Sequence, residues 1–211
     1  MILGIIILLV IVIYWFIFEK GGRTPIQEKR GKEGEETCTQ RLSRLLEDDE
    51  YLLTNLLIPT GRDRKTEIDA VLISRKGAFC IEIKNWVGHI SGKQEDEYWW
   101  QQYDDPKKQD KKHRNPYLQN EKHCDRLNKM FKGKYVFENI VLFPQIEDRS
   151  NLYSDATFDL NGFIRGYRRL DNTSLKYHQI KEIYERLKIY QPTEEELKEF
   201  KQQISMKYKN D

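Results

Sequence analysis

Three charged residues interrupt an otherwise apolar stretch, and their types and spacing suit phosphoryl-transfer chemistry. They are Asp69, Glu82 and Lys84, within residues 67–86. Two carboxylates that converge repel each other unless a cation lies between them, and their oxygens suit a hard divalent ion. A neighbouring ammonium group supplies positive charge where a phosphoryl transition state gains negative charge. The pattern is therefore typical of a metal-assisted phosphodiesterase site.

The same stretch predicts a β-hairpin, with an apolar strand on each side of a tight turn. Side chains alternate along a strand, so Glu82 and Lys84 lie on one side of the second strand. A two-residue loop at Lys76-Gly77 would place Asp69 opposite Lys84 and diagonal to Glu82, where the two carboxylates can converge. A three-residue loop would instead put Asp69 on the opposite face.

The alternative is that these charges cover a half-solvated antiparallel sheet, where outward-facing charged residues are common. Both faces of the two strands are apolar, however, which favours a buried sheet in which unpaired charges are costly. The apolar positions are Val71, Leu72, Ile73, Phe79, Ile81 and Ile83. Spacing alone supports the functional and the solvated interpretations equally.

Five sequence blocks around these residues occur in an order that resembles a known family. They are GKEGEE at 31–36, TEIDAVLIS at 66–74, GAFCIEIKNWVGHISG at 77–92, WW at 99–100 and NPYLQNEKHCDRL at 115–127. Together they resemble the nuclease-related domain (NERD) family of the PD-(D/E)XK nuclease superfamily, over residues 31–145. The spacing of Asp69, Glu82 and Lys84 also resembles the acid and lysine motif of that superfamily.

The resemblance implies an α/β fold, in which a restriction-endonuclease-like mixed sheet is flanked by helices in the order α-β-β-β-α-β. It also implies a divalent-metal-dependent nuclease that hydrolyses phosphodiester bonds of nucleic acid, DNA more than RNA. The expected cofactor is Mg²⁺ or Mn²⁺, which suit carboxylate ligands.

The resemblance further implies which residues hold the metal. Asp69 and Glu82 would be ligands, and the main-chain carbonyl of Ile83 and the side chain of Glu35 would be further ones. Glu36 is a close second to Glu35. Either acid could instead stabilise a helix N-terminus through the helix dipole. Without the resemblance, this second interpretation is the preferred one.

Catalytic roles are implied for Lys84 and Gln119. Lys84 would stabilise the phosphorane or lower the pKa of the attacking water, and the sequence does not choose between these roles.

Asn115-Pro116 predicts a helix start, with Asn as N-cap and Pro at the first position. Gln119 and His123 then lie on one stripe of that helix. Gln119 would orient the phosphate, and His123 is either a supporting polar partner or a core histidine.

A lysine-rich segment at residues 104–114 predicts a polar loop that could contact phosphate. The candidate contacts are Lys107, Lys108, Lys111, Lys112 and Arg114, with His123 as a weaker addition. The alternative for each of these lysines is plain solvation. The whole chain has 36 Lys and Arg and 34 Asp and Glu, which gives a net charge of +2. A net charge this small does not itself indicate nucleic-acid binding.

Residues 2–18 form an apolar run without charge and predict one N-terminal transmembrane anchor. A cleaved signal peptide would need a basic n-region and a small-residue cleavage site, and the sequence has neither. Positive residues follow the run and predict a cytoplasmic soluble domain. They include Lys20, Arg23, Lys29, Arg30 and Lys32.

Cys38, Cys80 and Cys124 are odd in number and widely spaced, which argues against a disulfide framework and a zinc site.

The predicted organisation is an anchor at 1–19, a linker at 20–30, the NERD-like domain at 31–145 and a strand and helix extension at 146–211. Helices are predicted at 35–46, 174–189 and 194–206, and strands at 51–58, 134–144 and near 156–163. Two rival functions stay open. One is a membrane-tethered module that binds nucleic acid or nucleotide without cutting it. The other is a signalling domain that recruits a partner.

Overall fold

The computed structural model describes residues 37–61 and 64–210 of the 211-residue chain. Its strands are β1 (Tyr51–Gly61), β2 (Arg64–Ser74), β3 (Gly77–Ile83), β4 (His89–Lys93), β5 (Tyr98–Gln102), β6 (Lys111–Arg114), β7 (Phe137–Phe143), β8 (Leu152–Tyr153) and β9 (Thr157–Asp159). Its helices are α1 (37–43), α2 (Pro116–Met130), α3 (Leu160–Arg169), α4 (Tyr177–Leu187) and α5 (Glu194–Asn210), with a 3-10 turn at Lys188–Tyr190. The fold is mixed α/β.

The larger sheet has the strand order β1-β2-β3-β7-β9 and is mixed. β1, β2 and β3 are antiparallel neighbours, whereas β7 runs parallel to β3 and β9 runs parallel to β7. The strand predicted at 134–144 is therefore confirmed as a parallel neighbour of an earlier strand, reached across a helical connection. β3 lies in the middle and is buried along its whole length.

Two apolar clusters hold helices on opposite faces of this sheet. α2 and α4 pack through Leu127 and Ile183 against the face that carries Val71. α1 and α3 pack through Leu42 and Phe163 against the other face. Each fully buried side chain of this size contributes about 1.5–3 kcal/mol, so both faces of β3 are firmly covered. A charged side chain on β3 therefore needs partners from these helices.

The hairpin between β2 and β3 turns at Arg75-Lys76, one residue earlier than predicted. Buried Ser74 accepts a hydrogen bond from the Lys76 N–H (3.2 Å), and buried Glu50 accepts one from the Arg75 N–H (2.9 Å). Gly77 opens β3 with φ +145°, a conformation that favours glycine. Because Glu50 comes from outside the hairpin, local turn preference did not reveal this geometry.

The earlier turn shifts the strand register by two residues, so the predicted pairing of Asp69 with Lys84 is wrong. Ala70 pairs with Ile81, and the next position therefore sets Asp69 across from Glu82. A shift of two residues preserves which side chains share a face, because the side-chain period of a strand is two.

The smaller sheet has the order β6-β5-β4-β8; β4, β5 and β6 lie between β3 and α2 along the chain, and β8 follows β7. Trp99 is fully buried against Phe143 of β7, whereas Trp100 is 46% exposed on the outer face. Gly92 has φ +145°, and a Cβ there would lie only 2.4 Å from the Trp99 ring. The loop predicted at 104–114 is wrong for its last four residues, which form β6.

Two other predicted boundaries also need correction. β1 continues through Pro59, which was expected to end it, because an edge strand tolerates a residue without an N–H. The strand predicted near 156–163 is confirmed only for β9. Asp159 caps α3 by accepting the Gly162 N–H (2.8 Å), and apolar residues then recur at helical spacing.

The predicted anchor at residues 2–18 lies outside the described residues. Within residues 37–61 and 64–210, none of the helices combines the length and the apolar character that a membrane crossing requires.

Candidate active site

Glu82, near the end of β3, is the centre of the candidate site. Its side chain is 2% exposed. Its Oε1 accepts hydrogen bonds from Lys84 Nζ and from Gln119 Nε2, the latter at 2.7 Å. Lys84 is half-buried and Gln119 is exposed, so the cluster reaches solvent along α2. The structure thus brings three of the predicted catalytic residues into direct contact.

The environment of Glu82 opposes ionisation of its carboxyl group. Burial, together with the negative charge of Asp69, raises the pKa of Glu82 from its ordinary 4.5 to about 8, although Lys84 acts against the shift. A group with this pKa is mostly protonated at neutral pH unless another cation favours its charged form. Glu82 is therefore a buried acid that a divalent ion would cause to ionise.

Asp69 is anchored to the same strand end through the backbone. Its Oδ2 accepts a hydrogen bond from the Ile83 N–H at 2.8 Å. This bond takes the place of a ladder contact where the β2–β3 pairing ends after Ala70 and Ile81. The Asp69 carboxylate is held beside Glu82, which accounts for its effect on the Glu82 pKa.

A slip in strand alternation at Asp69 helps to aim its side chain. Ile68 and Val71 belong to the same apolar cluster, while Ala70 belongs to the cluster on the other face. Asn55, at the facing position of β1, has φ +54°, a left-handed conformation that Asn tolerates. Irregularities of this kind often re-aim side chains beside functional sites. The odd spacing of Ile68 and Val71 was the sequence signal for it.

A third carboxylate, which the sequence did not single out, lies two residues before Asp69. Glu67 forms an ion pair with Lys201 of α5, at 3.0 Å between Oε1 and Nζ. Burial raises the pKa of Glu67, and the charge of Asp69 adds to the shift. The C-terminal helix is thereby connected to the acidic end of β2.

The N-terminus of α2 is fixed by Asn115, as predicted. Its side chain accepts the Tyr117 N–H at 2.8 Å and donates to the carbonyls of Gln94 (2.9 Å) and Asp96 (2.7 Å). The N-cap and the following Pro116 are both confirmed. Because Asn115 also hydrogen-bonds the turn between β4 and β5, it fixes the start of α2 and therefore the position of Gln119, one helical turn further along.

Asn120, fully buried, joins α2 to both parallel strands. Its Nδ2 donates to the Cys80 carbonyl (2.8 Å), to Asn139 Oδ1 (2.7 Å) and to the Ile140 carbonyl (3.2 Å). Its Oδ1 lies 3.3 Å from the Cys80 thiol. Burial raises the pKa of that thiol well above its usual range, which fits a structural cysteine. Sequence reasoning missed Asn120, although a polar residue on a packing stripe was the available signal.

The Asn120→Leu variant is expected to lower the free energy of unfolding by about 3 kcal/mol, because it leaves buried carbonyls without donors. Urea unfolding monitored by circular dichroism measures this. Asn172→Leu, at an exposed position, is the matched control and should stay within about 0.5 kcal/mol of wild type. Equal stability of the two variants would contradict the structural role of Asn120.

His123 lies one helical turn after Gln119, buried between α2 and the sheet. Its Nε2 is 3.1 Å from Thr66 Oγ1 on β2, and its Nδ1 is 3.7 Å from Glu82 Oε2. Burial lowers the pKa of His123, so the ring is neutral around pH 7. The structure therefore places His123 at the candidate site and away from the predicted basic segment.

The residues around Glu82 fit a divalent cation. Glu82 Oε2 is buried and has no hydrogen-bond partner within the described part of the chain. Such an atom is costly unless a ligand satisfies it. Asp69 supplies a second carboxylate beside it, and carboxylate oxygens suit Mg²⁺ and Mn²⁺. Glu35 and Glu36, the other acids considered, lie outside the described residues.

A different group of three potential metal ligands already lies close together. In residues 37–61 and 64–210, ligand atoms of His89, Asp104 and Glu147 all lie within 4.8 Å of one another. Both His89 nitrogens already face acids, at 3.0 Å from Asp104 and 3.6 Å from Asp148. Among the described residues, Asp69 and Glu82 do not belong to a group of three potential ligands that lie this close together.

The predicted phosphate contacts divide between a turn and a strand. Lys107 and Lys108 are exposed in the turn before β6, and Lys111, Lys112 and Arg114 are exposed on β6 itself. Lys112 Nζ lies 4.2 Å above the Tyr98 ring and 5.9 Å from the Trp100 ring. The outer face of the smaller sheet thus combines cations with accessible aromatic rings.

The chain is a mixed α/β protein in which a buried acid, a lysine and a second carboxylate meet at the end of one strand. The family model of the nuclease-related domain matches residues 30–144, more than half of the chain, and this chain belongs to that family. The resemblance stated from the sequence blocks is confirmed.

Comparison with curated proteins gives one relative of limited extent. An uncharacterized protein from Bacillus anthracis is 34% identical over 94 residues, which are 44% of this chain and 43% of that protein. The chain thus matches less than half the length of that relative. No solved structure matches the chain.

Proposed function

We propose that this protein is a divalent-metal-dependent nuclease that hydrolyses phosphodiester bonds of nucleic acid, with DNA as the main substrate. The observation that carries the proposal is the buried Glu82 carboxyl group, bonded to Lys84 and Gln119, beside Asp69. Membership of the nuclease-related domain family supports the same reaction class. The basic and aromatic face of β5 and β6 offers charge complementarity to a phosphate backbone.

The proposed mechanism assigns each residue a task. Asp69, Glu82 and the main-chain carbonyl of Ile83 would hold Mg²⁺ or Mn²⁺, with Glu35 as a further ligand from the segment before α1. When bound, such an ion polarises a phosphoryl oxygen and lowers the pKa of water. Lys84 supplies positive charge to the phosphorane or favours deprotonation of the attacking water. Gln119 holds Glu82 through its amide, so its contact with the phosphate is a second task.

The proposal extends to the architecture and the location. The order α1, β1, β2, β3, α2, β7, with β4–β6 inserted, supports a restriction-endonuclease-like core within residues 31–145. Residues 146–211 add β9, α3 and α4 to the same sheet and its two faces. Residues 1–19 would anchor the domain to a membrane, with residues 20–30 as the linker and the domain in the cytoplasm.

The test uses the full chain, purified in mild detergent, with plasmid, linear duplex and single-stranded DNA and with RNA. Each substrate is incubated with Mg²⁺, with Mn²⁺ and with EDTA. We expect cleavage that needs metal, is strongest on DNA and is lost in Glu82→Gln. Glu121→Gln, an exposed acid on α2, is the matched control and should cleave normally.

Binding without cleavage in either metal would overturn the nuclease proposal and favour a tethered nucleic-acid-binding module. Cleavage that persists equally in Glu82→Gln would show that the activity belongs to a contaminant or to another site.

A further inference from the structure

Two buried polar atoms face each other in the candidate site, and each is without a hydrogen-bond partner among the described residues. They are Glu82 Oε2 on β3 and His123 Nδ1 on α2, 3.7 Å apart. The side chains are only 2% and 8% exposed. Native proteins satisfy most buried polar atoms, so two unsatisfied atoms at one place point to an absent ligand between them.

The separation of these atoms is compatible with a metal ion bound between them. At 3.7 Å, the two atoms are too far apart for a mutual hydrogen bond. Two ligands of one transition-metal ion, each about 2.1 Å from it, lie about 3–3.7 Å apart, depending on the angle between them. A carboxylate oxygen and an imidazole nitrogen are both ordinary ligands of such ions.

The other ring nitrogen of His123 is held in the way expected for a metal ligand. Nε2 lies 3.1 Å from Thr66 Oγ1, which can accept a hydrogen bond from the Nε2–H group and so leave the Nδ1 lone pair free. A histidine that binds a metal almost always donates a hydrogen bond from its other ring nitrogen to an acceptor, and this bond fixes the tautomer and the orientation of the ring. Asp69 Oδ2, by contrast, already accepts the Ile83 N–H.

We propose that His123 Nδ1 and Glu82 Oε2 together ligate the divalent ion, and that this nitrogen ligand makes the site select Mn²⁺ over Mg²⁺. Mg²⁺ is a hard ion that disfavours nitrogen ligands, whereas Mn²⁺, a first-row transition ion, binds an imidazole nitrogen as well as carboxylate oxygens. The inference depends on the proposed function only in placing a metal at this site. It assigns His123 a position in the metal shell and removes it from the phosphate contacts.

The first measurement is metal binding by the full chain, without nucleic acid, using Mn²⁺ and Mg²⁺ in isothermal titration calorimetry. We expect wild type to bind Mn²⁺ at least about 10-fold more tightly than Mg²⁺. His123→Ala should weaken Mn²⁺ binding about 10- to 100-fold and change Mg²⁺ binding by less than about 3-fold. His178→Ala, an exposed histidine on α4, is the matched control and should change neither.

The second measurement is electron spin echo envelope modulation of bound Mn²⁺, which detects a coordinated nitrogen directly. We expect a nitrogen coupling in wild type and in His89→Ala, which removes the other candidate cluster, and its loss in His123→Ala. If His123→Ala fails to fold, Thr66→Val keeps the ring but removes its orienting partner. That variant should weaken Mn²⁺ binding about 10-fold.

Three outcomes would overturn the inference: equal Mn²⁺ affinity in wild type and folded His123→Ala, absence of nitrogen coupling in wild type, or a coupling that follows His89. The proposed function fails separately. A chain that binds Mn²⁺ through His123 but never cleaves nucleic acid would support this inference and overturn the nuclease.

Discussion

The Glu82→Gln variant is expected to lose cleavage and, in the metal-free state, to resist unfolding better than wild type at about pH 8. The folded-state pKa of Glu82 is about 8, well above its ordinary 4.5. Between these values the folded chain keeps a proton that the unfolded chain releases. The free energy of unfolding of wild type therefore falls as pH rises through this window.

Glutamine resembles the protonated carboxyl group and has no such pH dependence. We expect the two proteins to be about equally stable near pH 4, below both pKa values, and the variant to be more stable by a few kcal/mol near pH 8. Urea unfolding in EDTA at both pH values measures this difference. Titration of groups distant from Glu82 is common to both proteins and cancels. The same pH dependence in both would contradict the assigned cause of the shift.

The same substitution should lower the cleavage rate by about 10³-fold or more, because it removes an ionisable metal ligand worth several kcal/mol in the transition state. Stability and activity thus change in opposite directions in one variant. A general loss of structure would instead lower both, so this combination separates a functional carboxyl group from a structural one.

The Lys84→Met variant is expected to lower kcat by about 10²–10³-fold with little change in KM, because its charge acts mainly on the transition state. Lys84 also favours the ionised form of Glu82. Its removal should therefore move the acid limb of the pH–rate profile to higher pH. Steady-state kinetics on duplex DNA across pH measures both effects.

Two further variants make the Lys84 prediction specific. Lys84→Arg keeps a positive charge and should retain more activity than Lys84→Met. Lys93→Met, at the exposed end of β4, is the matched control and should behave as wild type. A Lys84→Met rate within about 3-fold of wild type would remove this residue from the mechanism.

The site was predictable in part because strand alternation is a local property. The spacing of Glu82 and Lys84 fixes one shared face whatever the rest of the chain does. The hairpin register was not predictable in the same way, because Glu50, far from the turn, holds the Arg75 N–H. A shift of two residues nevertheless left Asp69 and Glu82 on one side.

Residues that act through tertiary contacts escaped the sequence. Asn120 gains its importance only where β3 and β7 run side by side. Glu67 gains its ion-pair partner only because α5 brings Lys201 to it. For His123 the sequence left three roles open, a supporting partner of Gln119, a core histidine and a weak phosphate contact, and the fold buries it beside Glu82. None of these proximities follows from spacing along the chain.

The sequence by itself determined the family, the mixed α/β class, the capped start of α2 and the common face of the acid and the lysine. These follow from periodicity, turn and cap chemistry, and the order of short blocks, all of which are local. The tertiary structure alone decided which atoms of Glu82 are satisfied and which are not, since that depends on how α2 lies across the sheet. Because burial by distant elements sets both pKa and ligand geometry, the chemistry of this carboxyl group was fixed only by the packed fold.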